Sequence, residues 1–304
     1  MEYVLETNAL TKRYRNFTAL SELDMHIPQG AIYGFVGRNG AGKTTLIRLI
    51  CGLQEPTGGE YTLYGVKHTD KRIGRCRRRV GAVVETPSIY MDMTAAENIR
   101  QQYLILGMPS TAGIPELLRL VGLGDTGKKK ARNFSLGMRQ RLGIAVALAG
   151  HPDFLVLDEP VNGLDPQGII ETRELILKLN RQYGITVLIS SHILDELSRL
   201  ATHYGFIDGG RMVKEMSAET LEARCRKCTR VESGSSRVLA RVLDSLGVEY
   251  RVVDDSLVDV FADVPVTRLV EAAQMENCVI YTIKERDESL ESFYMDLIGG
   301  ERRA

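Results

Sequence analysis

One octapeptide narrows what this chain can fold into more than any count of residues does: Gly37-Arg38-Asn39-Gly40-Ala41-Gly42-Lys43-Thr44. It fits the pattern of a phosphate-binding loop, in which glycines let successive backbone N–H groups turn inward around phosphate oxygens. Such a loop sits between a strand and a helix, because the helix N-terminus adds partial positive charge where the anion rests. The flanks agree. Apolar Ile32–Val36 reads as the strand, and Thr45–Cys51 reads as an amphipathic helix. Gly37, Arg38, Asn39, Gly40, Ala41, Gly42 and Thr45 are therefore candidate nucleotide contacts. Lys43 can reach the β- and γ-phosphates, and the Thr44 hydroxyl can hold Mg²⁺.

A second element lies more than a hundred residues further on. Phe154-Leu155-Val156-Leu157-Asp158-Glu159 is a buried-type strand that delivers two adjacent carboxylates at its C-terminal end, where ligands of parallel sheets bind. Asp158 would complete the Mg²⁺ shell, and Glu159 would polarise an attacking water. Phe154–Leu157 and Thr186–Ser190 flank the helical stretch Glu171–Asn180, so this region reads as a βαβ unit of a parallel sheet.

Composition limits the alternatives. Over 304 residues Lys plus Arg and Asp plus Glu both total 39, giving a net charge of zero. A chain that held nucleic acid along its length would carry a basic excess, so no nucleic-acid partner is expected. No apolar run approaches the ~20 residues that span a bilayer. The acidic N-terminus lacks the features of a secretory signal. Five scattered cysteines do not form a disulfide framework. Cys225-x-x-Cys228 has metal-ligand spacing, but no second Cys or His pair completes a zinc site. The expectation is a cytoplasmic protein.

Along the chain, Tyr3–Asn8, Met25–Ile27, Ala31–Val36 and Glu60–Tyr64 read as strands. From about residue 90 to 150 the pattern is helical. Thr94-Ala95-Ala96-Glu97 is a capping box that opens a helix to about Leu106, and Ser135 opens another that Gly150 and Pro152 close. Asp208-Gly209-Gly210 marks a hairpin turn between Tyr204–Ile207 and Arg211–Val213. A boundary near Lys214–Ala218 separates residues 1–215 from 216–304. The second part runs strand Thr229–Glu232, helix Arg237–Leu246, strands Tyr250–Val253 and Leu257–Phe261, helix Val266–Met275, strand Val279–Ile283. That order suggests a small α+β, ferredoxin-like module. A last helix is expected over Glu288–Ile298.

Further segments narrow the class of nucleotide enzyme. Asn133-Phe134-Ser135-Leu136-Gly137-Met138-Arg139-Gln140-Arg141 resembles the signature of ATP-binding cassette (ABC) ATPases, with Phe134 in place of the usual leucine. Asn162-Gly163-Leu164-Asp165 resembles the family's aspartate turn, and Ser190-Ser191-His192 its histidine segment. Tyr14 matches the aromatic that stacks on adenine. Six motifs in order resemble one complete cassette over about the first 215 residues. The resemblance implies an α/β fold, a P-loop NTPase cassette with an antiparallel β subdomain and a helical subdomain. It implies ATP as substrate with Mg²⁺, and catalytic roles for Glu159, His192 and Lys43. In the family two cassettes pack head to tail, so that the signature of one covers the ATP of the other. Ser135 with the N–H groups of Leu136 and Gly137 would supply that second anion site, and the resemblance makes Asp165 a nucleotide-binding residue as well. One cassette per chain implies a partner, as a homodimer or with a related cassette. The transport reading implies an integral membrane permease on a separate chain, with this subunit peripheral on the inner face of the membrane.

Glu85 departs from the family pattern. In Val83-Val84-Glu85-Thr86-Pro87 it occupies the place of a glutamine that approaches Mg²⁺ and links the site to the membrane partner. A glutamate can still bind the ion through oxygen. The stretch Glu85-Thr86-Pro87-Ser88-Ile89-Tyr90 resembles the subgroup serving bacitracin resistance and lantibiotic immunity, which implies export of antimicrobial peptides. Exporters of other hydrophobic drugs or lipids are the alternatives within transport. Soluble ABC ATPases of DNA repair or the ribosome are the alternative outside it, but these carry long coiled-coil insertions or two cassettes. Two basic runs, Lys71–Arg79 and Lys128–Arg132, read as solvated faces in preference to a lipid-headgroup surface.

Overall fold

Alternating buried residues make Tyr3–Tyr14 (β1) and Phe17–Pro28 (β2) a long antiparallel hairpin. Both strands run further than the short stretches expected from sequence. The reason is bulging, because Ala9 (φ 47°) and Glu22 (φ 51°) enter the left-handed region. Asp24 Oδ1 takes the N–H of Ala9 at 2.7 Å, and Thr11 Oγ1 takes that of Glu22 at 3.1 Å. A bulge resets the two-residue alternation, so the periodic signal stops while the strand continues. With Gly58–Leu63 (β4) and Val66–Lys67 (β5) the hairpin forms a four-stranded sheet ordered β2-β1-β4-β5. The computed structural model describes residues 2–224, 228–262, 264–286, 293–295 and 297.

The second sheet carries the site. Its strands are Ile32–Val36 (β3), Val80–Val83 (β6), Phe154–Asp158 (β7), Thr186–Ser191 (β8), His203–Asp208 (β9) and Arg211–Ser217 (β10), in the order β10-β9-β3-β8-β7-β6. Only β10 is antiparallel to its neighbour. Every residue of β3, β7 and β8 is buried, as unbroken apolar runs in a parallel sheet require. Register sets Val36 opposite Ser191 and Asp158 opposite Ser190, which aligns three strand ends. Leu5, Met25, Phe35, Leu46 and Phe154 belong to one buried cluster that joins both sheets.

Between β6 and β7 the chain is helical. Ala95–Leu106 opens on a complete capping box: Glu97 N–H donates to Thr94 Oγ1 at 3.2 Å, and Thr94 N–H to Glu97 Oε2 at 2.7 Å. Gly107 (φ 68°) closes it. Ile114–Leu120 and Leu136–Leu148 follow. The longest helix of the described residues, Pro166–Tyr183, has 18 residues and lies between β7 and β8. None of the described helices is long and apolar enough to cross a membrane.

The chain divides into two compact units, Met1–Ala218 and Glu219–Ala304. The pairing of β10 extends to Ser217, opposite His203, so the first unit ends three residues beyond position 215. In the second unit Cys228–Ser233 (β11), helix Ser236–Ser245, Tyr250–Val252 (β12), Leu257–Val260 (β13), helix Val266–Met275 and Ile280–Arg286 (β14) follow the order read from sequence. The sheet order is β12-β13-β11-β14, all antiparallel, the split β-α-β arrangement. Val231, Leu239, Leu243, Val258, Val260 and Leu269 form its core. The helix expected over Glu288–Ile298 and the thiol of Cys225 lie largely outside the described residues.

Asp259 on β13 is buried yet paired twice, with Arg230 Nε at 2.7 Å and Arg251 Nη2 at 3.0 Å. Burial pushes its carboxyl up, but the two guanidiniums more than offset this and hold it below the usual carboxylate value. A depressed folded-state pKa stabilises the fold above the unfolded value of about 4. That contribution is lost as pH falls through the lower folded value. Asp259→Ala is expected to destabilise the second unit by about 1.5–3 kcal/mol, since charged hydrogen bonds are lost while the two guanidiniums left behind are partly solvated. Urea unfolding of the full chain measures this, and an unchanged midpoint would refute it.

Candidate functional site: a phosphate cradle at three strand ends

β3 ends directly in the glycine-rich loop. A Cβ on Gly37 would stand 2.6 Å from Ile207 Cγ2 and 2.8 Å from the Ile207 carbonyl oxygen, so no side chain fits there. Gly42 has φ 112°, and a Cβ on it would meet the Ala19 carbonyl at 2.6 Å. The helix Lys43–Ile50 starts at once, two residues earlier than expected, which places Lys43 and Thr44 in its first turn beside Thr45. No side chain caps that helix and no acidic residue lies in its first turn. Its first N–H groups therefore remain open donors at the positive end of the helix dipole.

Lys43 is 5 % exposed. Its ammonium donates to the Gly37 carbonyl at 2.6 Å and lies 3.2 Å from Glu159 Oε1. Thr44 Oγ1 donates to Asp158 Oδ2 at 2.8 Å. Glu159 follows β7 with φ 50°, and its other oxygen lies 2.6 Å from His192 Nδ1. A carboxylate, its histidine partner, a buried cation and a hydroxyl–carboxylate pair thus converge at the ends of β3, β7 and β8.

The donor set fits Mg²⁺ held jointly with a phosphate. Among the described residues no group of three His, Cys, Asp or Glu side chains could hold a metal alone. Thr44 and Asp158 offer two hard oxygens, and Mg²⁺ characteristically takes one or two protein ligands with substrate phosphates and waters completing its shell. Glu85 does not join them by hydrogen bond. It has φ 59°, is more than half exposed, and accepts from Arg48 Nη2 at 2.5 Å.

The remaining candidates sit in their own neighbourhoods. Ser135 and Leu136 are exposed at the start of Leu136–Leu148, and Ser135 Oγ accepts the Met138 N–H at 3.2 Å. Gly137 is buried, and a Cβ on it would lie 3.6 Å from Gly168 Cα, so the aspartate turn packs beside the signature. Asp165 Oδ1 accepts the Gly168 N–H at 3.0 Å and caps Pro166–Tyr183. Phe134 is buried, which explains why an apolar residue suffices there. Tyr14 is partly exposed at the end of β1, with its hydroxyl on Gln54 and Lys12 Nζ 5.2 Å from its ring centre.

Ser190 opens the histidine segment, but the sequence gives it no role of its own. Its hydroxyl donates to Asp158 Oδ1 at 2.5 Å and accepts from the Glu159 N–H at 2.9 Å. The available signal is a serine following Val187-Leu188-Ile189 in a fully buried strand. Part of the basic runs is engaged within the fold: Arg72 with Asp70, Arg79 with Asp153, Arg132 with Asp92, and Arg77 with the Tyr61 hydroxyl. Burial pushes the Cys51 thiol, at the far end of the helix that leaves the loop, up to about 12, so it is a poor nucleophile.

The ABC transporter family model matches residues 20–162. The bacitracin transport ATP-binding protein BcrA of Enterococcus faecalis is 37 % identical over 99 % of this chain and 98 % of its own length. The lantibiotic transport ATP-binding protein SrtF of Streptococcus pyogenes is 40 % identical over 70 % of this chain and 90 % of its own. Among solved structures, the dimeric post-hydrolysis state of the ATP-binding cassette MJ0796 bound to ADP and Pi superposes with a TM-score of 0.64. It is 25 % identical and covers 70 % of this chain and 98 % of the solved one.

Proposed function

Because the chain belongs to the ABC transporter family of ATP-hydrolysing subunits, we propose that it powers export of antimicrobial peptides of the bacitracin or lantibiotic type. The permease would be an integral membrane protein on separate chains, with this subunit docked on its cytoplasmic side. Full-length similarity to a bacitracin transport subunit carries this reading.

Lys43 neutralises the β- and γ-phosphates from inside the glycine cradle. Thr44 and Asp158 would hold Mg²⁺, which when bound would supply charge neutralisation to the triphosphate. Glu159 accepts a proton from the attacking water, while His192 holds the carboxylate in place and faces the γ-phosphate. Ser135, with the N–H groups of Leu136 and Gly137, covers the nucleotide of a second copy. Two ATP molecules then act as the adhesive of a homodimer, and hydrolysis loosens it. Residues 216–304 serve as an accessory module that supports this pairing.

Glu85 forms an exposed ion pair with Arg48, a class worth at most about 1 kcal/mol. Glu85→Gln is therefore expected to leave ATP binding intact and to change turnover only modestly. Equilibrium binding and steady-state hydrolysis check this, and lost ATP binding would mean that Glu85 is misplaced. The function itself is tested by expressing the chain with and without candidate membrane subunits and measuring bacitracin and lantibiotic sensitivity. Protection is expected only when both are present. Unchanged sensitivity to both peptides would argue against this substrate class.

A further inference from the structure

We propose that Ser190 is a positioning residue, setting both the Asp158 carboxylate that meets Thr44 and the backbone that carries Glu159. The inference rests on the nucleotide-site reading above. β8 is buried at every residue, and Ser190 is fully enclosed. A hydroxyl in such a place costs about 1–3 kcal/mol unless it is bonded. This one is bonded twice, to two adjacent residues of a different strand end.

Asp158 is gripped at both oxygens: Ser190 Oγ donates to Oδ1 at 2.5 Å, and Thr44 Oγ1 to Oδ2 at 2.8 Å. Two donors on opposite oxygens fix the plane of the carboxylate, so that Oδ2 stays beside Thr44. The Glu159 N–H reaches Ser190 Oγ at 2.9 Å and the Ser190 carbonyl at 3.2 Å. That amide belongs to a residue with φ 50°, a left-handed conformation that surrounding structure must hold in place. The serine therefore sets the plane of one carboxylate and the angle at which the chain leaves β7 toward the other. Its own strand leads two residues later to His192, the partner of Glu159. Groups that orient a metal's direct ligands typically change metal affinity 10–100-fold when removed.

Ser190→Thr and Ser190→Val have the same shape, so strain from added bulk is common to both and only the hydroxyl differs. Mn²⁺ binding to the full-length protein with ADP, followed by electron paramagnetic resonance, is expected to be about 10–100-fold weaker in the valine variant. ADP affinity without metal should be the same in both. Ser190→Ala, which adds no bulk, should show the same loss against wild type. Equal Mn²⁺ affinity in the Thr and Val variants, beside a wild type that binds both ligands, overturns this proposal alone. A wild type that binds neither ADP nor Mn²⁺ overturns the nucleotide-site reading and this proposal with it.

Discussion

Glu159→Gln is expected to leave ATP bound and almost unhydrolysed. Glutamine keeps the shape of the side chain and a hydrogen-bonding atom for His192, which lies 2.6 Å from Glu159. It cannot accept a proton from water. Loss of a positioned base costs about 10²–10⁴ in rate, so turnover should fall by that factor while ATP affinity is retained. Because separation of the two cassettes then waits on a step that no longer occurs, ATP should accumulate a dimer visible by sedimentation velocity. Near-normal turnover would remove Glu159 from its role. A variant that stays monomeric with saturating ATP would count against the nucleotide sandwich.

Lys43→Ala should instead abolish nucleotide binding at ordinary ATP concentrations. The ammonium is almost fully buried, and it faces both the Gly37 carbonyl and Glu159. Charged hydrogen bonds contribute about 1.5–3 kcal/mol each. Two of them toward phosphate oxygens amount to roughly 100-fold or more in Kd. Isothermal titration with ATP reads the loss, and circular dichroism confirms that the fold persists. The two variants thus separate: one binds without turning over, and the other does not bind. Equal ATP affinity in wild type and Lys43→Ala would place the phosphates elsewhere.

The parts legible from sequence are those whose chemistry is local. The glycine loop, the capping box at Thr94 and Glu97, and the strand carrying Asp158 announce themselves within eight residues or fewer, because spacing alone dictates their geometry. In the second unit the order of strands and helices was also readable from two-residue and 3.6-residue periodicities. What leaves no local trace is long-range. Ser190 meets Asp158 across 32 residues and Arg48 meets Glu85 across 37, and neither pairing leaves a local pattern. The bulges at Ala9 and Glu22 hid half of the first hairpin, since an inserted residue inverts the alternation by which a strand is recognised.

The contact between Lys43 and Glu159 has a consequence for how the triphosphate is received. The ammonium already possesses an internal counter-ion, so under the proposed function an incoming γ-phosphate would compete with Glu159 for it. Glu159 Oε1 would then be left for the attacking water while His192 keeps hold of Oε2. Loading and arming would then be a single event.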